Sequence, residues 1–165
     1  MKAFIVTGSS RGLGLEICKQ LINRNHLIIC IARNNNDSLL QLAGLESITL
    51  INNGAQVTPL GPVDSFTAEE TARNVHVNLL APIILAQSLL QQTEQWDTHG
   101  VIVNISSGSA KQPAAGMIDT DMQAVARSQE RLPIASFFRE AKENGALKPA
   151  RDVAKKIVKR VLTSK

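Results

Sequence analysis

The sequence predicts an α/β fold in which helices cover both faces of a parallel, doubly wound sheet. Short, unbroken apolar runs typical of buried parallel strands alternate along the chain with segments whose apolar residues recur at helical spacing. A glycine-rich turn over residues 8–14 lies directly between the first such strand and the first helix. The 165 residues, 44% of them hydrophobic, are sufficient for a single domain with a buried core.

In the first half of the chain, predicted strands alternate with predicted helices. The elements are a strand over 3–7, a helix over 12–24, a strand over 26–32, a short helix from Asp37 to Leu45, the start of a third strand at 47–50 and the end of a fourth at 51–53. Two neighbouring parallel strands need a crossover of about a dozen residues or more. Since nothing separates Leu50 from Ile51, we expect that a connecting segment is missing at this point.

The second half is predicted to be mainly helical. Thr67 and Glu70 form the pattern of a capping box, which opens a helix that runs to about Glu94. The later elements are a strand over 100–106, the end of another strand at 117–118 and helices over 120–131, 134–144 and 150–163. Between Ser106 and Gly116 there is no room for a helix and a returning strand. We therefore expect further missing segments near 113/114 and after 165, without which the chain is not expected to complete a doubly wound sheet.

The composition favours a soluble, cytoplasmic protein. No apolar run approaches the roughly 20 residues that span a bilayer, and no secretory signal precedes the first strand. The net charge of +4 comes largely from a C-terminal cluster of Lys and Arg. Because Val153, Ile157 and Val161 recur between these charges at helical spacing, the cluster is interpreted as the solvated face of a helix rather than a nucleic-acid site. We expect neither nucleic acid nor a membrane as a partner.

The cysteine and histidine residues do not suggest a metal site. Cys18 and Cys30 lie within apolar runs without the CxxC spacing of zinc sites, and are interpreted as core residues in a reducing compartment. His26, His76 and His99 show neither metal-ligand spacing nor the pattern of a catalytic triad. No metal ion is expected.

The turn after the first strand has the composition of a phosphate-binding loop. Glycine permits a tight turn and a close approach of the backbone to a pyrophosphate, and the first N–H groups of the next helix offer the anion a positive dipole end. The residues expected to bind a dinucleotide here are Thr7, Gly8, Ser10, Arg11, Gly12, Leu13 and Gly14.

Two arginines favour NADP over NAD as the cofactor. Arg11 lies in the turn, and Arg33, followed by Asn34, comes just after the second strand, where no carboxylate is present to bond a ribose 2′-hydroxyl. Guanidinium groups at these positions can pair with a 2′-phosphate instead. The alternative is that both are ordinary surface arginines.

Five segments resemble, in order, the motifs of the short-chain dehydrogenase/reductase family. Residues 7–14 resemble its TGxxxGxG turn, 52–55 its NNAG, 76–78 the helix with its structural Asn, 103–108 the strand that ends in its catalytic Ser, and 116–120 its nicotinamide loop without the usual Pro. In the second of these, either the Gly and the Ala are exchanged or an Ala before Gly54 is missing. The resemblance implies a Rossmann-type fold. It implies a catalytic Ser107 and Asn78, and further cofactor contacts at Asn53, Gly54, Ile105, Gly116, Ile118 and Thr120.

Residues 78–82, 107–113 and 116–122 look most like the sepiapterin reductase and benzil reductase branch of that family. This resemblance implies NADPH-dependent reduction of a ketone or diketone to an alcohol, with the Ser107 hydroxyl holding the substrate carbonyl. It also implies that the helix from Thr67 to about Glu94 forms the interface of a homodimer or homotetramer. The alternative for this apolar helix is a face buried within the monomer.

One departure from the family concerns catalysis itself. The family protonates the carbonyl oxygen with the Tyr of a Tyr-x-x-x-Lys pair, and this chain contains no Tyr. Three interpretations stay open: a reductase whose Tyr and Lys lie in a missing segment, a non-catalytic dinucleotide-binding protein, and a truncated fragment that does not fold alone. The 165-residue chain itself is expected to lack reductase activity, since the loss of a positioned proton donor costs about 10²–10⁴ in rate.

Overall fold

A computed structural model describes residues 1–22, 26–32, 45–106, 118–128 and 135–163. Its strands are β1 Lys2–Thr7, β2 Leu27–Ile31, β3 Ser47–Asn52, β4 His99–Asn104, β5 Ile118–Asp119 and β6 Lys148–Pro149. Its helices are α1 Gly12–Ile22, α2 Ala68–Val75, α3 Ala81–Gln95, α4 Asp121–Ser128, α5 Ala135–Glu143 and α6 Ala150–Thr163, with a π-helical segment His76–Leu80 between α2 and α3 and a 3-10 turn Val63–Ser65. None of the described helices is long and apolar enough to span a bilayer.

The main sheet contains four parallel strands in the order β2-β1-β3-β4, and β5 pairs with β6 in a short parallel ladder. Central strands β1 and β3 are buried on both faces, which explains their unbroken apolar sequences. On one face, Ile51 packs with Ile17 of α1 and Val158 of α6. On the other face, Leu50 packs with Leu89 of α3. The predicted three-layer α/β fold is therefore confirmed.

The predicted strand boundary between Leu50 and Ile51 is wrong. Ser47–Asn52 is one continuous strand, paired with β1 over 47–51 and with β4 along its whole length. Because its two faces are buried by different helices, the apolar run belongs to one strand rather than to the ends of two. The connection that leads into β3 comes from β2, on the far side of β1, so the strand order does not require a crossover between residues 50 and 51; a missing segment near this point stays a prediction from the sequence.

The other element boundaries agree with the sequence within a few residues. The first helix ends at Ile22 rather than at 24, the strand predicted over 100–106 ends at Asn104, and the last helix spans the predicted 150–163. Helix α6 buries Val158 and Val161 while its Lys and Arg side chains are exposed, so these basic residues lie on the outer face of a helix, as predicted from the spacing. The predicted short helix over 37–45 lies almost wholly outside the described residues, as does the position 113/114.

The long helix predicted from Thr67 forms, with a widened turn in its middle. Thr67 Oγ1 accepts the N–H of Glu70 at 3.1 Å, and Glu70 Oε2 accepts the N–H of Thr67 at 2.9 Å, which confirms the capping box. In the π segment, the Ala81 N–H donates to the carbonyl of His76, five residues earlier. Pro82 has no N–H for the carbonyl four residues before it, and its ring excludes an ordinary α-turn, which accounts for the wider one.

Candidate functional site

The carboxyl ends of β1 and β3 meet where the chain changes its direction of travel across the sheet. From β1 the chain continues to β2 on one side, and it returns to β3 on the other. In doubly wound sheets, ligands bind in the crevice beyond the strand ends at such a switch point. The β1–α1 turn and the residues after β3 line this crevice, so the structure brings the predicted Thr7, Gly8, Asn53 and Gly54 together.

Thr7 ties the two central strand ends to each other. Its Oγ1 accepts the N–H of Asn53 at 2.9 Å and the N–H of Gly54 at 2.8 Å, and it lies 3.4 Å from the carbonyl oxygen of Ile51, to which it donates. A single buried hydroxyl therefore satisfies two backbone donors just where the β-ladder ends. The side chain of Thr7 thus shapes the wall of the crevice.

The Asn53 amide holds the glycine turn in place. Its Nδ2 donates to the carbonyls of Thr7 at 3.1 Å and Gly8 at 3.3 Å. Gly8 has φ +66°, and a Cβ on it would lie 2.8 Å from the Cα of Gly54. A Cβ on Gly14 would collide with the Gly8 carbonyl oxygen and lie 2.6 Å from Asn53 Nδ2. Glycine at these positions lets the turn, the start of α1 and the end of β3 pack backbone against backbone.

The start of α1 provides the groups that suit an anion. The helix begins at Gly12, whose φ is +56°, and the first N–H groups of a helix have no acceptor within it. Ser10 is exposed on the turn, whereas the Leu13 side chain is buried in the core and leaves only its backbone for a ligand. Residues 7–14 carry one guanidinium and no carboxylate. This set of donors fits the pyrophosphate of a dinucleotide.

Arg11 contacts the segment that follows β5. Its Nη1 lies 3.1 Å from Oδ2 of Asp121, the first residue of α4, and the two side chains are 65% and 66% exposed. On the same side, a Cβ atom added to Gly12 would lie 3.6 Å from Thr120 Cγ2. The predicted nicotinamide-loop residue Thr120 therefore lies beside the predicted phosphate turn. Sequence reasoning missed Asp121, because it is 110 positions from Arg11; the available signal was the Asp-Thr-Asp run at 119–121.

A second ion pair fixes the other side of Thr120. Asp119 Oδ1 lies 3.5 Å from Nη2 of Arg127, whose side chain is only 11% exposed. The pair joins β5 to α4 on either side of Thr120, whose carbonyl accepts the N–H of Ala124 at 3.0 Å. The remaining Nη1 of Arg127 is buried without a hydrogen-bond partner in the part of the chain that the structure describes.

Ile105 follows the end of β4, next to the end of β3, and Ile118 lies in β5. The Ile105 N–H donates to the carbonyl of Asn52 at 2.9 Å, so the chain stays paired with β3 for one residue beyond β4. Asn52 Nδ2 also donates to Asn104 Oδ1 at 2.9 Å, which joins the two strand ends. Ile118 is half-buried in β5 and packs, like Ile105, against the core cluster beneath α1 and α6.

Asn78 lies in the π segment and is exposed, and its side chain makes three hydrogen bonds. Its Oδ1 accepts the N–H of Gln56 at 2.8 Å, and its Nδ2 donates to the carbonyl of Gln56 at 2.7 Å and to Asn74 Oδ1 at 2.9 Å. These bonds fix the loop that follows β3. Both amide N–H groups of Asn78 are therefore engaged within the chain, and Pro82, four residues later, offers its backbone carbonyl no N–H.

The two cysteines form a close pair behind the turn, with their Sγ atoms 3.5 Å apart. Cys18 is buried and Cys30 is exposed, so the prediction that both are core residues is wrong for Cys30. The reason is that β2 is the outermost strand of the described sheet on that side. Burial, with a smaller contribution from the neighbouring Cys30 thiol, raises the pKa of Cys18 to about 12.

Four predicted site residues, Arg33, Asn34, Ser107 and Gly116, lie outside the described residues. Their roles stay predictions from the sequence. The contacts described for the crevice beyond β1 and β3 therefore do not include Ser107, the residue expected to hold the substrate carbonyl.

Comparisons with known proteins agree with the sequence motifs. The family model of the short chain dehydrogenases matches residues 41–119. Benzil reductase ((S)-benzoin forming) from Bacillus cereus is 32% identical over 150 residues, which cover 70% of this chain and 60% of that protein. The enzyme of the same name from Bacillus subtilis (strain 168) is 26% identical over 214 residues, which cover 90% of this chain and 88% of that protein.

Two features of these alignments bear on the length of the chain. The chain spans only 60% of the Bacillus cereus relative, and the Bacillus subtilis alignment is longer than 165 residues, so it includes positions at which this chain has no residue.

Among solved structures, the KRED1-Pglu enzyme has the same fold, with a TM-score of 0.81 at 20% identity over 100% of this chain and 96% of that one. The family match and the two relatives show that the chain belongs to the short-chain dehydrogenase/reductase family, whose members are oxidoreductases that bind a nicotinamide dinucleotide.

Proposed function

We propose that the chain binds NADP(H) in the crevice beyond β1 and β3. The observation that supports this most directly is that the glycine turn, the start of α1 and the Asn53–Gly54 segment pack against one another at the switch point. The N–H groups at the start of α1 would bind the pyrophosphate, Asn53 and Gly54 would form the wall beside the adenosine, and Thr120 would contact the nicotinamide end.

The preference for NADP over NAD rests on charge. Arg11 is exposed at the turn, and a guanidinium can make two parallel hydrogen bonds to a 2′-phosphate that NAD lacks. The segment after β2, Ala32-Arg33-Asn34, supplies a second guanidinium and no carboxylate. We therefore expect NADPH to bind more tightly than NADH.

Carbonyl reduction is the second part of the proposal, and it is supported by the two benzil reductase relatives. The bound cofactor would supply hydride to the carbonyl carbon of a ketone or diketone, and the Ser107 hydroxyl would hold the carbonyl oxygen. Because the chain has no Tyr to donate the proton, we propose that the 165-residue chain binds the dinucleotide but turns over slowly or not at all.

The test separates binding from turnover. NADPH fluorescence is titrated with the purified chain, and the oxidation of NADPH with benzil is followed at 340 nm under the same conditions. Saturable NADPH binding without benzil-dependent oxidation is the expected result. Oxidation at a rate ordinary for enzymes, about 1–10³ s⁻¹, would contradict the inactive form of the proposal. The absence of NADPH binding at millimolar concentration would contradict the proposal as a whole.

A further proposal concerns assembly. A face of the α2–α3 helix carries large apolar side chains that are about half exposed: Val75, Leu79, Leu80, Ile83, Ile84 and Leu90. We propose, from the family resemblance, that a second copy of the chain covers this face in a homodimer or homotetramer. Light scattering should give a mass above that of a monomer, and Ile83→Lys should lower it. A monomeric wild-type protein would contradict this proposal.

Neither nucleic acid nor a membrane is proposed as a partner, and cytoplasmic location stays a prediction from the sequence.

A further inference from the structure

We propose that Asp121 is a specificity-determining residue for the cofactor, because its carboxylate competes with the 2′-phosphate of NADP for the Arg11 guanidinium. This inference rests on the proposed binding of NADP(H) in the crevice. It assigns a role to a residue at the start of α4, which lies on the side of the crevice opposite the adenosine.

The first step is geometric. The end of β2 lies on one side of the turn, since the Gly8 N–H donates to the carbonyl of Ile31 at 2.8 Å. Doubly wound sheets bind the ribose of the adenosine at this strand end, so a 2′-phosphate would lie there. Asp121 lies on the other side, beyond Gly12 and Thr120. One arginine side chain cannot reach towards both sides of the turn at once.

The second step is energetic. In the structure, one nitrogen of the Arg11 guanidinium, Nη1, contacts Asp121 at 3.1 Å, and because a 2′-phosphate would lie on the other side of the turn, the side chain has to leave this contact to bind it. Both side chains are about two-thirds exposed, and exposed ion pairs of this kind contribute little. A ligand that must displace a competing contact loses affinity by the free energy of that contact. The expected loss for NADP(H) corresponds to about a two- to fivefold weaker affinity.

The third step concerns specificity. NADH has no 2′-phosphate, so Arg11 can keep its contact with Asp121 while NADH binds. The competition therefore weakens NADPH binding and leaves NADH binding unchanged. In this way Asp121 reduces the discrimination between the two cofactors that Arg11 provides.

The experiment measures the dissociation constants of NADPH and NADH for the full chain by fluorescence titration. The variants are Asp121→Asn, Arg11→Ala and the double substitution, with Asp121→Ser as a second variant in case Asn disturbs the start of α4. The control is Glu69→Gln, which removes one negative charge and one exposed ion pair, Glu69–Arg73 at 2.8 Å, on a different helix. Thermal unfolding checks that each variant is folded.

The expected result is that Asp121→Asn lowers the dissociation constant of NADPH about two- to fivefold and leaves that of NADH unchanged. The gain should shrink as salt rises, since exposed pairs are screened. It should vanish in the Arg11→Ala background. Glu69→Gln should change neither constant.

Three results would overturn the inference: an equal gain for NADPH and NADH, no gain for NADPH, or a gain that persists without Arg11. The last would mean that Asp121 acts through the general field of the crevice. These results differ from a failure of the proposed function, in which neither cofactor binds any variant.

Discussion

The substitution Gly14→Ala measures how tightly the phosphate turn is packed against the end of β3. Gly14 lies in the first turn of α1, where Ala would ordinarily add about 1 kcal/mol of stability relative to Gly. Here the new Cβ would collide with the Gly8 carbonyl oxygen and lie 2.6 Å from Asn53 Nδ2, so the turn must move. Overpacking of this kind costs about 1–3 kcal/mol, and the two hydrogen bonds of Asn53 contribute about 0.5–1.5 kcal/mol each. We expect a net loss of about 2–4 kcal/mol.

Urea unfolding followed by circular dichroism measures this loss, which corresponds to a fall in Tm of roughly 5–15 °C. The matched control is Gly145→Ala, where φ is +66° and no atom lies within 4 Å of the new Cβ, so that only backbone strain of about 1–2 kcal/mol is expected. Reasoning from helix propensity alone predicts the opposite order, with Gly14→Ala the more stable variant. If Gly14→Ala were as stable as the wild type, the close packing of the turn against Asn53 would be refuted.

Three further predictions concern other contacts. Thr7→Val should destabilise the chain by about 2–4 kcal/mol, because the N–H groups after β3 lose their acceptor, whereas Thr7→Ser should cost less; urea unfolding of both variants decides. Burial raises the pKa of Cys18 to about 12, so the free energy of unfolding should fall as pH rises from the ordinary cysteine pKa towards 12. It should fall less in Cys18→Ala. An equal dependence of the free energy on pH in both proteins would contradict the burial of this thiol. Thr67→Ala should cost about 1 kcal/mol at neutral pH. The backbone N–H of Thr67 and, to a smaller extent, its hydroxyl lower the pKa of Glu70, and only the hydroxyl is removed by Ala. The stability from the hydroxyl–carboxylate contact is present above the ordinary Glu pKa and lost as pH falls through the folded value, so the difference between the two proteins should shrink in acid without vanishing, since the Glu70 N–H keeps its bond to the Thr67 hydroxyl; a difference that does not depend on pH would contradict this.

Local patterns in the sequence were enough to predict most of the fold. The capping box at Thr67 and Glu70 joins residues three apart, and the buried face of α6 follows from the spacing of Val158 and Val161. The error at Leu50 and Ile51 has a physical cause. A strand buried on both faces has no alternation of apolar and polar residues, so periodicity cannot show whether an apolar run is one strand or two.

The candidate site was predictable only where neighbours in sequence form it. The turn from Gly8 to Gly14 and the segment at Asn53 are each local, and the switch-point rule brings them together once the strands are known. The Arg11–Asp121 pair was not predicted, since it joins residues 110 positions apart through an exposed contact, and the Asp-Thr-Asp run at 119–121 does not by itself indicate which basic residue it contacts. Burial of Cys30 was predicted wrongly because exposure on an outer strand depends on what covers the sheet edge.

The contacts that shape the crevice are independent of the Tyr-x-x-x-Lys pair that this chain lacks. The hydrogen bonds of Thr7 and Asn53 join residues 7–8 to 51–54, and none of them involves the region where the family carries its Tyr and Lys. The absence of Tyr therefore removes none of the contacts that hold the crevice together. A ligand that binds the folded state at one hundred times its dissociation constant stabilises it by about 2.7 kcal/mol, whether or not it reacts. NADPH should consequently raise the Tm by roughly 5–10 °C even where benzil is not reduced, and a chain that showed turnover without this stabilisation would contradict the separation of binding from catalysis.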